Sequence, residues 1–184
     1  LKEAIASLEE YNGEYSSPYV LTTLADYQMS MYNDSTALAY YNEALDIAPD
    51  YVPAILGKAE TLRMTRKYED YFVELDKFIS VEENPAAGKS DYLMAIVQRT
   101  DPKFLNSFRN SMDQIIEKVH AMHPVDSSVL RLAGIYYWST DRKDKSKDYF
   151  RLNAENNPES LTASVDFVEF LMYAEQWEDL SREG

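Results

Sequence analysis

Two histidines stand one helical turn apart in the stretch HAMHPVD, His120 and His123, with Asp126 three positions further on. Imidazoles at that spacing beside a carboxylate are the raw material of a metal site, because zinc takes nitrogen and oxygen donors in a four-coordinate shell. A working site needs firmer spacing and a further ligand, and the chain offers neither here. Histidine in the last turn of a helix also meets the negative end of the helix dipole favourably. The pair reads as a helix terminus, and no metal and no cofactor is expected.

The remaining constellations are weaker. Adjacent carboxylates at Glu9–Glu10 and Glu82–Glu83 could share acid–base work, but they fall at helix ends on faces expected to be solvated. The glycines (Gly13, Gly57, Gly88, Gly134 and Gly184) never cluster into a phosphate-cradling loop. The densest basic stretch, DRKDKSKD from Asp141 to Asp148, is neutralised by its own aspartates and lacks the glycine and ligand order of a calcium loop. Asn33-Asp34-Ser35 matches a glycosylation sequon by composition only. There is no cysteine, which removes thiol catalysis, disulfides and cysteine-based zinc sites. No catalytic residue is expected, and the chain reads as something other than an enzyme.

The elements that would position any site come from composition and periodicity. The 184 residues are 45% apolar and 13% aromatic, which opposes disorder despite a net charge of −14. That charge, without a Lys/Arg stripe, excludes nucleic acid as a partner. Nothing approaches the ~18 consecutive apolar residues of a membrane span. The chain begins with Leu1 rather than Met and is expected to be a segment of a longer protein, in the cytoplasm or the periplasm.

Apolar residues recur at helical spacing almost throughout. The pattern predicts helices at about 1–12, 18–31, 35–47, 53–65, 67–81, 87–99, 102–122, 127–139, 142–156, 160–174 and from 176 onward. Pro18, Pro53 and Pro102 suit first helical turns; Pro49, Pro85, Pro124 and Pro158 mark stops. Pro124 and Pro158 are 34 residues apart, and Ala37, Tyr41 and Ala44 are followed 34 residues later by Tyr71, Leu75 and Phe78. A fixed period of that size signals a repeat.

The pattern resembles the tetratricopeptide repeat, a 34-residue helix–turn–helix written W-x2-L-G-x2-Y, then A-x3-F, then P. Leu21, Leu24, Ala25, Ala37, Tyr41 and Pro49 carry one copy, with Gln28 in place of the tyrosine. Leu130, Ala133, Gly134, Tyr137, Ser146, Phe150 and Pro158 carry another, with Ser146 in place of the small alanine. A looser copy from about Val52 keeps Ile55, Ala59, Leu62 and Leu75, while Lys58 and Tyr71 depart. The resemblance implies an all-α fold, a right-handed superhelical array of antiparallel helix pairs (an α-solenoid) with about 11 helices. The chain is then one array over 1–184, in units 1–17 (partial), 18–51, 52–85, 86–126 (irregular), 127–160 and 161–184 (partial).

Alanines at Ala37 and Ala44 lie two turns apart on one stripe and permit close helix approach, while Tyr41 between them fills the space between units. At Tyr71 and Phe78 the small slots become large, so irregular geometry is expected there. Pro49 to Pro124 exceeds two periods by seven residues, close to two turns, which would lengthen the helix 102–122 without rotating its buried face. Residues 1–12 look like the second helix of a unit, and 176–182 like the start of another.

In the resembled family, first helices line a concave groove that binds peptide segments. The matching solvent-facing triplets are Thr22, Asp26 and Met29; Leu56, Glu60 and Arg63; Arg131, Ile135 and Trp138; and Val165, Glu169 and Met172, each at i, i+4, i+7. Some members clamp a carboxylate with Lys and Asn in these helices. Here the equivalent places hold Thr22 and Asp26, Leu56 and Glu60, so that activity is not expected. Asp26, Glu60 and Glu169 would favour a basic or neutral protein segment instead.

The expected function is a non-catalytic scaffold for protein or peptide partners. Two competing readings are an assembly spacer within a larger extracytoplasmic bacterial protein, and a small-ligand binder or enzyme built on the helical frame.

Overall fold

A computed structural model describes residues 2–174. The helix expected from 176 onward lies outside them. The chain divides into two compact units, Leu1–Glu83 and Asn84–Gly184. Among the described residues all regular structure is helical, and no helix is long and apolar enough to cross a membrane.

The first unit holds α1 (Lys2–Tyr15), α2 (Pro18–Ser30), α3 (Asp34–Ile47), α4 (Val52–Met64) and α5 (Tyr68–Ser80). Each helix packs on the next in sequence, and α2 also packs on α4. Successive neighbours joined by short turns, with a first helix meeting the next first helix, is how stacked helix pairs pack. The small–large–small stripe is buried as its spacing requires: Ala37, Tyr41 and Ala44 are all inaccessible, in one cluster with Leu21, Ala25 and Ala54. One period later Tyr71, Leu75 and Phe78 are buried on α5.

The second unit holds α6 (Ala86–Arg99), α7 (Pro102–Ser107), α8 (Arg109–Met122), α9 (Ser127–Ser139), α10 (Lys143–Asn156) and α11 (Leu161–Tyr173). Here α9 is central, packing on α6, α8, α10 and α11. The 34-residue offset separates the starts of α2 and α4, of α4 and α6, of α8 and α10, and of α9 and α11.

The single helix expected over 102–122 is instead two. The chain leaves helical geometry at Phe108 (φ −107°, ψ 28°), so the seven extra residues form α7 and a corner rather than lengthening α8. Side chains near the break compete for the backbone: Asn106 Nδ2 donates to the Pro102 carbonyl at 2.9 Å and Ser107 Oγ to that of Lys103 at 2.8 Å. Asp101 caps α7 by accepting from Lys103 N at 2.7 Å, and Leu105 is fully buried. A short, separately capped and anchored helix results.

Three turns share one conformation. Tyr32, Arg66 and Asp141 have φ of 60°, 59° and 57° between the helices of their pairs. The residue after each donates its amide five residues back: Asn33 to Gln28 at 2.9 Å, Lys67 to Leu62 at 2.8 Å, Arg142 to Tyr137 at 2.9 Å. This left-handed C-cap closes the outgoing helix and reverses the chain within three residues. The α6–α8 connection, carrying the insertion, has no such residue.

Candidate functional site

The second unit gathers part of one expected triplet into a cavity. Asp126 fixes the start of α9, its Oδ1 accepting from Ser128 N at 3.0 Å, Val129 N at 3.2 Å and Ser128 Oγ at 2.6 Å. From that capped start, Leu130, Ala133, Gly134 and Tyr137 turn into the core. Gly134 leaves room for the Phe150 ring, which lies 2.8 Å from where a Cβ would sit, and Ser146 Oγ donates to the Gly134 carbonyl at 2.8 Å. With that face buried, Arg131, Ile135 and Trp138 project together from another flank of α9.

There they meet α11, whose start Ser160 caps by accepting from Ala163 N at 3.2 Å. Arg131 Nε donates to Asp166 Oδ2 at 2.6 Å, and the Trp138 indole meets the Phe170 ring edge-on at 5.5 Å and 78°. Phe170 in turn packs on Phe150. These side chains, with Ile135, Glu169 and Tyr173, line an open cavity of about 210 Å³. Phe150 and Phe170 are its buried apolar part, and Glu169 is exposed. Among the described residues the Glu169 carboxylate makes no ion pair and no side-chain hydrogen bond, while Arg131, the cation of the lining, is taken by Asp166.

The other triplets are placed differently. Thr22, expected to face solvent, is only 6% exposed: α2 is packed by α1, α3 and α4, and that flank has no access to water. Asp26 is exposed but serves the core, accepting from the buried Tyr41 hydroxyl at 2.5 Å. Burial and then the Asp26 carboxylate hold the Tyr41 phenol far above its ordinary range. Met29 is half-buried, its sulfur 2.8 Å from Thr61 Oγ1 of the following helix pair. Glu60 and Arg63 engage each other through two bonds of 2.7 and 2.5 Å, and the guanidinium keeps the Glu60 carboxyl below its usual value despite partial burial. Leu56 is half-buried, and Val165 and Met172 are exposed on α11 outside the cavity.

His120 and His123 do not converge with Asp126, whose carboxylate is used as a cap. The His120 ring packs edge-on to Tyr149 at 5.1 Å. Among the described residues no group of three or more His, Cys, Asp or Glu is placed to hold a metal ion.

Sequence reasoning missed Phe150, Asp166, Phe170 and Tyr173. A signal for one of them, Phe170, exists once a contact of an earlier repeat is known. Met29 touches Thr61 and Trp138 touches Phe170, both 32 residues apart, so a contact seen in one pair of units predicts its counterpart in the other.

No protein-family model matches the chain, and no curated protein matches it. Among solved structures it is similar to MamA (14% identity over 90% of this chain and 87% of that one, TM-score 0.51). It is also similar to YrrB, a tetratricopeptide-repeat protein with an unusual peptide-binding site (15% identity, 96% and 88% covered, TM-score 0.51). A third is a tetratricopeptide repeat protein from Parabacteroides merdae (12% identity, 98% and 69% covered, TM-score 0.51). At these identities the likeness is one of fold: the chain has the tetratricopeptide-repeat fold, all-α and of solenoid type.

Proposed function

We propose that this chain is a non-catalytic protein-interaction scaffold, and that the cavity between α9 and α11 receives a side chain from an extended partner segment. The observation that carries the reading is the cavity itself. Trp138, 38% exposed beside the buried Phe170, gives an aromatic wall, and Glu169 adds an exposed charge beside it. Hot spots of protein recognition have this form, a large aromatic anchor in a pocket with a polar rim. Trp138 is held by Phe170 rather than free to collapse, so little ordering is needed on binding.

The similarity to YrrB supports a peptide as the class of partner. In the first unit the acidic candidates Asp26 and Glu60 are already bonded within the chain, which moves the reading toward the α9–α11 cavity, where Glu169 still favours a basic or neutral segment. The test is affinity capture with the intact chain beside Trp138→Ala, a substitution at a partly exposed position that should leave far-UV circular dichroism unchanged. The captured partner is expected to be lost. Retention of the same partner by the variant sinks the cavity assignment and favours the spacer reading, in which flanking sequence and not this surface is required.

A further inference from the structure

We infer that the occupant of the α9–α11 cavity is an aromatic side chain followed directly by lysine or arginine, the ring entering among Ile135, Trp138 and Phe170 and the cation meeting Glu169. This rests on the scaffold reading above and adds the chemistry of the partner.

Three features select that chemistry. The walls already hold rings in edge and tilted geometries, Trp138 to Phe170 at 78° and Phe150 to Phe170 at 39°. A further ring extends such a cluster in the arrangement that ring quadrupoles favour. The volume of about 210 Å³ suits one large side chain rather than a folded segment.

The charges then fix the neighbour. Arg131 is taken by Asp166 at 2.6 Å, whose carboxylate is mostly buried, so this pair presents no net charge to an incoming group. Lys143 of α10 stands 5.7 Å over the Trp138 ring, which places a cation on the indole already and directs a second one elsewhere. Glu169 is exposed, lines the cavity and has no partner among the described residues. An acidic ligand would meet it and a chain of net charge −14; a basic one is attracted by both.

The probes are three synthetic hexapeptides, Ser-Gly-Phe-Arg-Gly-Ser, its Phe-Glu counterpart and its Ala-Arg counterpart, titrated into the full chain carrying Trp177→Phe. The emission of Trp138 is the readout. The Phe-Arg peptide is expected to shift that emission and to bind about tenfold more tightly than the Phe-Glu peptide, since reversing one rim charge replaces a modest attraction by a similar repulsion. Glu169→Lys, at an exposed position, should invert the order, and the Ala-Arg peptide should bind weakly to both proteins.

Equal binding of the Phe-Arg and Phe-Glu peptides, or an unchanged order in Glu169→Lys, overturns the inference. So does the absence of any emission change with all three. A concentration-dependent dimer in sedimentation that Trp138→Ala abolishes reassigns the cavity to a second copy of the chain and overturns it too. If every peptide fails while capture still depends on Trp138, the occupant is wrong and the scaffold stands; if capture is indifferent to Trp138, the scaffold cavity itself is wrong.

Discussion

The ring of Tyr41 occupies the place where a side chain at residue 57 would begin: a Cβ on Gly57 would overlap two of its ring carbons. Tyr41 is on α3 and Gly57 on α4, the first helix of the next pair, so this is an inter-repeat contact with one partner reduced to hydrogen. The ring cannot swing clear easily. It is inaccessible, and its hydroxyl is held by Asp26 at 2.5 Å with the Met29 sulfur at 3.4 Å.

Gly57→Ala is therefore expected to destabilise the protein. Alanine raises helix propensity by about 1 kcal/mol over glycine, but overpacking a core position costs roughly 1–3 kcal/mol, and the second effect wins here. In a Tyr41→Leu background the ring is gone and the same substitution should become neutral or stabilising. Urea midpoints for the four proteins of the cycle measure the coupling. Additivity would show that Gly57 is not a docking slot for Tyr41.

Arg66 offers the opposite sign. It is exposed and holds φ at 59°, a region that disfavours an L-residue by about 1–2 kcal/mol. Arg66→Gly removes that strain at a smaller loss in the flexibility of the unfolded chain, for a net gain of about 0.5–1 kcal/mol. Arg66→Val, β-branched, should lose more than 1 kcal/mol. A higher denaturation midpoint for the glycine variant and a lower one for valine is the expected pair of results. At Asp141 the gain should be smaller, because aspartate tolerates this conformation better than arginine.

How far the sequence could be read depends on the scale of the feature. The helix pairs are legible because Ala37, Tyr41 and Ala44 set a small–large–small stripe at helical spacing, and all three are inaccessible in the structure. The seven-residue insertion is legible as an excess over the period, but its form is not. Whether those residues lengthen a helix or break it turns on Asn106 and Ser107 bonding back to the chain and on Leu105 finding a buried site. At the site, Arg131, Ile135 and Trp138 share a face of α9 by helical spacing alone, and Glu169 stands on α11 one 34-residue period after Ile135. Their partners depend on how the next helix is offset: Arg131 meets Asp166 at a separation of 35 residues and Trp138 meets Phe170 at 32, and a period of 34 does not supply that shift. Asp26 and Met29 show the converse, surface-patterned residues drawn into core bonds that only the fold reveals.

Alkaline pH should unfold the protein cooperatively. Burial, and then the neighbouring carboxylate Asp26, raises the phenol of Tyr41; burial followed by Asp113 does the same for Tyr136, against the opposing Arg142; burial followed by Tyr149, Asp113 and Glu117 raises Tyr137. A phenol whose folded value lies above its unfolded one contributes stability that is complete below the ordinary phenol range, near 10. That contribution is lost as pH climbs from there toward the folded values. Phenolate absorbance should lag for these tyrosines and rise together with the loss of helical circular dichroism. Smooth titration of all 15 tyrosines in a chain that remains helical would contradict it.

At the acid end the decisive group is Asp113 on α8. It accepts from the Tyr136 hydroxyl of α9 at 2.7 Å and pairs with Arg142, at the start of α10, at 2.7 Å, tying three helices through one carboxylate. Arg142 itself lies over the rings of Tyr136 and Tyr137, at 5.0 and 4.5 Å, so the rings help to hold it where it meets Asp113. Burial alone would raise the Asp113 carboxyl, but the bonds from Arg142 and Tyr136 and the charges of Arg142 and Lys145 outweigh it and hold the group below its ordinary value. A depressed carboxyl contributes stability that is complete above the unfolded value, about 3.9, and is lost as pH falls through the lower folded one. Asp113→Asn is accordingly expected to reduce stability by about 1–3 kcal/mol at neutral pH, since it removes a charged acceptor from a partly buried guanidinium. The deficit should stay flat down to the ordinary carboxyl range and shrink below it, where the unmodified protein loses the same interaction. Urea unfolding of both proteins at a series of pH values reads this directly, and a deficit independent of pH throughout the acid range would assign Asp113 a packing role instead.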